Sequence, residues 1–582
     1  MSASTTSRAG TPTATESHIA ALLDHCVDVA ADDPPGAVAA VVELVAVSRD
    51  LDVALLLDGV PVAAHAVVRQ YGAPDELLLN MGPWLPGLVR ERLLSADRRH
   101  RTGVHHTSLD MAETIVSFVA ELRPFDLSDT ILDPSCGGGA FLLAAAEALP
   151  GDPSRRVAQL RGVDLDPLAV ATTVASLRLW SGGAAVDPGS FVVADGLAPD
   201  LPIDQPTVVL GNPPFLSQLR GDTVRDTASR ENLRLRWPDV GGYVDDAAAF
   251  LLASVELVAD GGVVALVQPA SFLAARDGEP VRRRLQASAP PSGIWIDRDR
   301  QFEAAVDTIA LVLDVGGAGG PIRRSTGVPR TRLAMADAPA TAASWAALLR
   351  DDSRPMIDAS QDGVLLSDVA TVTAGFRDQF YGLRGAVSDE PGSYRLITSG
   401  LIDPLRDRWG VQPCRFDGDR WEQPTVDLDL VASGIRAWID ARLVPKLLVA
   451  SQTKTIEVMI DEQGECVPCT PVVTVEPNAD APSLPHLAAV LTSPVVSLRM
   501  LDAAAGTALS RDAMRVSAST LGAIVLPEPS ANWDKAAEIV RASAAGVDAN
   551  DLWEVGRLMT LAYGVTDVEP IHKWWRERLP RR

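Results

Sequence analysis

The 582-residue chain is 47% hydrophobic and 22% charged, so it is expected to fold, and it is too long for one core, which suggests two to four domains. Its formal net charge of −24 argues against a protein that coats nucleic acid without specificity, although a locally basic cleft is compatible with it. The five cysteines form no disulfide framework, and no signal peptide or apolar run of transmembrane length is visible, so a cytoplasmic protein that does not enter a membrane is expected.

The first hundred residues divide into two parts. Residues 1–17 are mostly Ser, Thr, Ala and Gly, which predicts a disordered tail. Across residues 18–100 apolar side chains often recur at helical spacing, as in Ile19, Leu22 and Cys26, which predicts a mostly helical N-terminal region. This region lacks the clustered acidic residues and lysines of metal-dependent nucleases. We therefore predict no cleavage activity there and assign it no role.

A polar loop at residues 101–110 precedes the next predicted helix. Thr107 or Ser108 is the expected cap, and the free amides at such a helix start can receive a carboxylate. His105 and His106 are candidate metal ligands by residue type. Two adjacent histidines without a partner set are more typical of a loop, and we predict no metal site here.

A glycine-rich turn follows the first strand of the next segment. The strand ends at Asp133, three glycines follow at 137–139, and a helix is predicted from Ala140. Alone, this pattern suits any nucleotide-binding turn or a tight strand-to-helix connection. Asp164, about 25 residues beyond the glycines at the next strand end, occupies the position from which a carboxylate binds ribose hydroxyls. A third strand ends at Asp195.

The fourth strand, Val208–Leu210, ends at Gly211 and leads into Asn212-Pro213-Pro214-Phe215. The two prolines stiffen the turn and disfavour helix, so the Asn212 amide is held at the strand end with an aromatic ring three residues later. An amide and a ring together suit a planar nitrogenous group, bound by its edge and its face. The alternative is an ordinary proline turn. Four polar strand ends at one edge predict a ligand cleft.

These motifs in this order resemble the S-adenosyl-L-methionine-dependent N6-adenine DNA methyltransferases, in the gamma arrangement with a C-terminal target recognition domain. The resemblance implies an α/β fold, with a Rossmann-like methyltransferase domain at residues 101–320, after the helical N-terminal region at 18–100. It implies a mixed α+β target recognition domain at 321–582.

The resemblance also assigns site residues. The catalytic residues it implies are Asn212, Pro213, Pro214 and Phe215. The cofactor-binding residues it implies are Thr107, Asp133, Pro134, Cys136, Gly137, Gly139, Asp164, Leu165, Asp195 and Asn212. It implies no metal. Thr107 stands where the family has Thr-Pro, but Ser108 replaces the proline and His105 and His106 replace an aromatic pair.

The implied activity is methyl transfer from S-adenosyl-L-methionine to the N6 amine of a flipped-out adenine at a specific site in double-stranded DNA. The expected setting is a restriction-modification or phage-defence system, with protein partners from that system. Alternatives are an RNA base amino-methyltransferase, a protein-glutamine methyltransferase, or a DNA-binding subunit active only with a partner. The large C-terminal region favours DNA, and the intact tetrapeptide disfavours an inactive subunit.

Several later segments fit the resemblance. Gln268–Phe272 stands where the family has a polar-proline loop beside the target base, and Phe302 stands in a closing loop, as a wall of the base pocket or as a core residue. The arginine-bearing insertion between Phe215 and Asp245 borders the substrate cleft or is a solvated loop. A glycine-rich linker at 315–321 is followed by four arginines proposed for the DNA backbone, Arg323, Arg324, Arg330 and Arg332.

Two ambiguous features lie further on. Cys466 and Cys469 form a lone CxxC, which is either half of a zinc site or a thiol pair, and the second is favoured because no other pair is present. The basic, aromatic ending around His572–Arg578 either touches DNA or forms a packed helix.

Overall fold

A computed structural model describes residues 14–94, 107–215, 227–240, 245–297, 307–339, 341–350, 354–355, 357, 363–390, 394–503, 514–543 and 546–580. The chain divides into two compact units, Met1–Leu348 and Leu349–Arg582. Four features of the sequence lie outside the described residues: His105 and His106, the candidate wall residue Phe302, and much of the arginine-bearing insertion.

The first unit begins with the predicted helical region. Its helices are α1 (Ala14–Ala30), α2 (Pro34–Ser48), α3 (Ala66–Arg69), α4 (Asp75–Met81) and α5 (Leu85–Leu93), with a small hairpin of β1 (Leu56–Leu57) and β2 (Val60–Pro61). Asp33 caps α2 by accepting a hydrogen bond from the Gly36 amide at 3.1 Å. The alanines and valines of α2 are buried on nearly every side, which places this helix at the centre of the region.

A nine-stranded sheet forms the body of the first unit. Its strands are β3 (Ile131–Asp133), β4 (Leu160–Asp164), β5 (Phe191–Val193), β6 (Val208–Gly211), β7 (Val263–Pro269), β8 (Pro291–Ile296), β9 (Thr308–Asp314), β10 (Ile322–Thr326) and β11 (Thr331–Ala336). Their order across the sheet is β11-β10-β8-β9-β7-β6-β3-β4-β5. Strands β5, β4, β3, β6 and β7 are parallel, whereas β9 runs against both β7 and β8.

Helices connect and cover these strands. They are α6 (Leu109–Leu122), α7 (Ala140–Ala148), α8 (Pro153–Ala158), α9 (Pro167–Trp180), α10 (Thr227–Arg236), α11 (Asp246–Leu257) and α12 (Glu279–Ser288). Helices α6 and α7 share one core with alternate residues of the central strands, including Val208 and Leu210 of β6. Strand β6 is buried along its whole length, as expected for a parallel strand covered on both faces.

The glycine-rich segment at 315–321 does not lead out of the sheet. Strand β10 follows it and pairs in parallel with β8, with Arg323 opposite Gly293. Ile322 and Ser325 of β10 are buried. The sequence places the second domain from residue 321, whereas the observed division falls after Leu348, because the burial of β10 keeps it in the first unit.

The four arginines proposed for the DNA backbone have partners within the protein. Arg324 is buried and donates to two main-chain carbonyls. Arg323, Arg330 and Arg332 gather around the carboxylate of Glu121, with Arg332 Nη2 at 2.7 Å. The hydrogen bond from Arg330 is the main reason that the pKa of Glu121 lies below its usual value. Arg324 is thus structural, and the other three share one negative charge.

The second unit mixes helices and short strands. Its helices are α13 (Leu366–Val369), α14 (Arg377–Gly382), α15 (Ser433–Asp440), α16 (Leu484–Thr492), α17 (Pro494–Ala503), α18 (Ala518–Gly522), α19 (Ala531–Ala542), α20 (Ala549–Ala562) and α21 (Val568–Arg576). Its strands are β12 (Ala370–Ala374), β13 (Val387–Ser388), β14 (Arg395–Ile397), β15 (Ile402–Asp403), β16 (Arg406–Asp407), β17 (Cys414–Phe416), β18 (Asp419–Trp421), β19 (Thr425–Val426), β20 (Lys446–Val449), β21 (Gln452–Thr453), β22 (Val458–Asp461), β23 (Cys466–Pro468), β24 (Val473–Pro477) and β25 (Met514–Arg515).

Two four-stranded sheets organise this unit, in the orders β12-β24-β20-β22 and β13-β19-β14-β23. The last helix, α21, buries Ile571, Trp574 and Trp575, so the aromatic ending of the chain is a packed helix. Over the part of the chain that the structure describes, no single helix has the length and apolar character to cross a membrane; only α16 and α17 taken together pass by composition, and a 57° bend separates them.

Cys466 and Cys469 are both buried with free thiols. Burial raises the pKa of each thiol to about 12, so both are protonated at neutral pH. The Cys466 sulfur accepts a hydrogen bond from Arg395 at 3.2 Å. Within the described residues no group of three or more His, Cys, Asp or Glu side chains is arranged to hold a metal ion.

A buried ion pair joins β20 and β22 of the first of the two sheets. The Lys446 ammonium lies 2.5 Å from Asp461, and both side chains are almost completely buried. Burial alone would raise the pKa of Asp461, but Lys446 and the amides of Cys466 and Glu465 lower it below its usual value. The carboxylate is therefore ionised in the folded protein and depends on its cation.

We expect Lys446→Met to lower the free energy of unfolding by about 3–5 kcal/mol, because it leaves the Asp461 charge buried without a counterion. Lys454→Met, at an exposed lysine of the same unit, is the control and should change it by less than about 0.5 kcal/mol. Urea denaturation of both variants measures the difference. Equal losses of unfolding free energy in the two variants would show that the buried ion pair contributes no more to stability than an exposed lysine.

Candidate functional site

Four polar residues come together at one edge of the sheet. Asp133 ends β3, Asp164 ends β4, Asn212 follows β6, and Asp195 lies two residues beyond β5. The four strands are neighbours in the order β6-β3-β4-β5 and run in parallel, so their carboxyl ends share one edge. This is the arrangement that the spacing of the motifs predicts.

The glycine loop adopts a conformation that requires glycine at two positions. Gly137 has φ +54° and Gly139 has φ +88°, in the left-handed region that side chains disfavour. The Gly137 amide donates to Asp164 Oδ2 at 2.9 Å, and its carbonyl accepts from the Thr173 hydroxyl at 3.1 Å. Gly139 is the N-cap residue of α7. The loop is thereby fixed to the neighbouring strand end.

Asn212 is held by the loop before α6. Its Nδ2 donates to Thr107 Oγ1 at 3.0 Å, and Thr107 is buried. Asn212 Oδ1 is also buried, but no donor among the described residues bonds to it. Ser108 is the cap of α6, since its hydroxyl accepts from the Met111 amide at 3.4 Å, which leaves the Thr107 hydroxyl for Asn212. The amide orientation therefore leaves its acceptor oxygen for a ligand.

The remaining residues implied by the resemblance surround this edge. Leu165, next to Asp164, is 64% exposed. Cys136 is buried, and its amide donates to the Val163 carbonyl at 2.9 Å. Phe215 is partly buried against the core that α6 and α7 share. Leu165 thus offers an exposed apolar surface, whereas Cys136 contributes through its backbone.

Asp133 is buried at the end of β3. A Cβ added at Gly211 would lie 2.6 Å from Asp133 Oδ1, so only glycine fits there. Burial raises the pKa of Asp133 to about 8, the charge of Asp164 acts in the same direction, and a hydrogen bond from the Ser135 amide opposes both. The carboxyl is therefore mostly protonated at neutral pH.

Sequence reasoning missed two contributors to the site. Arg90 and Gly87, both on α5, contact the loop after β4 and the glycine loop respectively. Gln268, at the end of β7, is completely buried, and no hydrogen bond to its Oε1 is present among the described residues. Gln268 is not one of these two, because its place in a polar-proline loop already indicated it in the sequence. Nothing in the local sequence of α5 distinguishes Arg90 or Gly87 from ordinary helix residues.

Comparisons with known proteins agree with this geometry. Residues 92–287 match the N-6 DNA methylase family model. Over 209 residues the chain is 28% identical to the type II methyltransferase M.BanIII of Aneurinibacillus aneurinilyticus, in an alignment that covers 32% of this chain and 34% of that protein. The chain therefore spans about a third of the length of this curated relative. The resemblance to N6-adenine DNA methyltransferases is confirmed.

Solved structures are similar over most of the chain. The type IIL restriction-modification enzyme MmeI, in complex with DNA, is 13% identical with a TM-score of 0.54, and the match covers 96% of this chain and 92% of that one. The type IIG restriction endonuclease BpuSI is 14% identical with a TM-score of 0.44, covering 98% and 81%. The likeness to MmeI confirms the predicted fold class, an α/β domain followed by a further C-terminal domain.

The raised pKa of Asp133 has a consequence for stability. An aspartate whose folded pKa is about 8 retains a proton that the unfolded chain releases near its ordinary value of 3.8, so the free energy of unfolding falls as pH rises between these values. Asp133→Asn removes this dependence. We expect the variant to gain stability relative to the natural protein by up to about 1.4 kcal/mol per pH unit across that window.

Urea denaturation between pH 5 and pH 8 measures this gain. The control is Asp200→Asn, at an exposed aspartate of the same unit, for which no such trend is expected. A difference between Asp133→Asn and the natural protein that stays constant with pH would contradict the assignment of a neutral Asp133.

Proposed function

We propose that this protein transfers a methyl group from S-adenosyl-L-methionine to the N6 amine of adenine in double-stranded DNA, as the modification activity of a restriction-modification or phage-defence system. The observation that carries the proposal is the Asn212 amide, whose buried Oδ1 has no described donor while Thr107 holds its nitrogen. The match of this region to the N-6 DNA methylase family supports it.

The residues at the strand ends fit the cofactor. Both Asp164 oxygens already accept one backbone amide each, and a carboxylate retains acceptor capacity for ribose hydroxyls. The exposed Leu165 side chain suits the face of an adenine ring, with Asp195 at the next strand end for its amine. The glycine loop allows close approach of a ligand, and Thr107 would hold the methionine end of the cofactor. When bound, the cofactor supplies an electrophilic methyl group on sulfonium.

The catalytic step follows from the tetrapeptide. An adenine within a duplex cannot reach this buried edge, so it is flipped out, and the Phe215 ring stacks on its face. Asn212 Oδ1 and the Pro213 carbonyl accept hydrogen bonds from the exocyclic amine. These acceptors would stabilise the positive charge on the amine nitrogen when it takes up a methyl group. The Thr107 hydroxyl keeps the Asn212 amide from rotating, and the proton leaves after transfer, so no strong base is needed.

The second unit is proposed to recognise the DNA sequence. Its mixed α+β fold and size suit a target recognition domain. The sequence assigns that domain to residues 321–582, and the second compact unit begins at Leu349. The N-terminal region and the catalytic domain, predicted at residues 101–320, belong to the first unit, which extends to Leu348. A cytoplasmic location and protein partners from the modification system belong to the same proposal.

We expect purified protein to transfer labelled methyl groups to duplex DNA and to yield N6-methyladenine on digestion. Asn212→Ala should reduce kcat about 10²- to 10³-fold or more, because it removes an acceptor that stabilises developing charge. Phe215→Ala should impair transfer by loss of stacking. Both variants should still bind the cofactor.

The control for this experiment is duplex and single-stranded RNA of the same sequence. Transfer to RNA alone would replace the proposal with an RNA amino-methyltransferase. Cofactor binding without transfer to either nucleic acid would instead indicate a subunit that needs a partner. Loss of cofactor binding in folded Asn212→Ala would contradict the division of roles.

Cofactor binding should depend on pH through Asp133. A cationic cofactor near this carboxyl favours its ionised form, so the pKa of about 8 falls on binding and a proton is released. The affinity should therefore rise as pH increases from 6 to 8. Calorimetry with S-adenosyl-L-methionine in two buffers of different ionisation enthalpy measures the proton release, which Asp133→Asn should abolish. Equal proton release by the natural protein and Asp133→Asn would contradict the assignment of the released proton to Asp133.

A further inference from the structure

The N-terminal helices share their core with a helix of the sheet domain. We call residues 14–94 the N-terminal helical module. Its buried core includes Ala171, Ala175 and Leu179 of α9, the helix that follows Asp164. One face of α9 therefore belongs to the module and the other to the sheet. The position of α9, and of the strand end before it, depends on both.

The module also touches the glycine loop. A Cβ added at Gly87 of α5 would lie 2.6 Å from the Gly138 carbonyl oxygen, and a Cβ at Gly138 would lie 2.6 Å from the Gly87 Cα. Real side chains do not tolerate such distances, so the two backbones meet only because both residues are glycine. Helix α5 thus forms a wall directly behind the loop.

A continuous set of polar contacts leads from α5 to the ribose-binding position. Arg90 is 5% exposed, and its Nη2 lies 2.8 Å from Asp166 Oδ2. Asp166 Oδ1 caps α9 through the Leu168 amide, and the Asp166 amide donates to Asp164 Oδ1, each at 2.9 Å. Asp164 Oδ2 in turn accepts from Gly137. Arg90 is therefore connected, through two carboxylates, to the glycine loop.

The burial of Arg90 is costly for a residue that only stabilises the fold. Its Nε is buried and has no hydrogen-bond partner among the described residues, which leaves a charged group incompletely satisfied. By contrast Arg92, two residues along the same helix, pairs with Asp24 with 44% of its side chain exposed. A buried, incompletely bonded guanidinium beside a ligand cleft indicates a positioning role.

We propose that the N-terminal helical module is part of the cofactor site and that Arg90 is a positioning residue for it. Arg90 fixes Asp166, and through it Asp164 and the glycine loop, in the geometry that binds S-adenosyl-L-methionine. This inference rests on the proposed function, since it concerns the same cofactor cleft. It assigns a role to a region for which the sequence indicates none.

The test compares Arg90→Met with its matched control Arg92→Met in the full chain. Arg90→Met should raise the KM for S-adenosyl-L-methionine and the Kd for S-adenosylhomocysteine roughly tenfold to a hundredfold, with the KM for DNA within about twofold. Arg92→Met should match the natural protein in all three. Arg90→Lys should restore part of the affinity, because it keeps the charge beside Asp166.

The outcomes separate the two proposals. A natural protein that neither binds the cofactor nor transfers methyl groups overturns the proposed function, and this inference with it. An active natural protein with an unchanged cofactor KM in folded Arg90→Met overturns the inference alone. If circular dichroism shows that Arg90→Met does not fold, Asp166→Asn decides, because it keeps an oxygen to cap α9 but loses the ion pair. Natural affinity in that variant also overturns the inference.

Discussion

The carboxylate of Asp164 is the contact on which the site depends. One oxygen accepts the Gly137 amide and the other accepts the Asp166 amide, so a single side chain joins the glycine loop to the start of α9. Because charge-assisted hydrogen bonds to backbone amides are short and directional, they fix the loop more firmly than apolar packing would. Gly137, which has positive φ, and Asp166, which caps α9, are the two residues that this carboxylate joins.

The part of the site predicted from sequence is the part encoded by short segments. Each strand and its polar end, such as β6 and Asn212, lies within a few residues, and the order of parallel strands brings those ends together. The contribution of α5 was not predictable, since Arg90 and Asp166 lie 76 positions apart in the sequence. The sequence predicts a boundary after residue 320, because glycines indicate a turn but do not say whether the next strand rejoins the sheet. The two compact units divide after Leu348.

The arginine-rich composition has a structural use that charge counting does not reveal. Buried Arg282 donates to four main-chain carbonyls, and burial lowers its pKa to about 10. Arg576 lies 3.7 Å from the centre of the Trp553 ring, and Arg442 lies 4.2 Å from that of Trp438. Guanidinium groups suit such planar, multiply bonded environments better than ammonium groups. These arginines thus place positive charge in contacts within the protein, in a chain whose net charge is −24.

The paired glycines at 87 and 138 limit how the chain can be rearranged. Two backbones in direct contact leave no room for a linker, a tag or a substituted helix between them. A catalytic domain cut free at residue 101 would also expose the alanine face of α9 to water. The place where the protein can be recombined is therefore the division after Leu348, where one compact unit ends and another begins. In the proposed function, exchange of the second unit would change the recognised DNA sequence, while the polar strand ends of the first unit keep their residues.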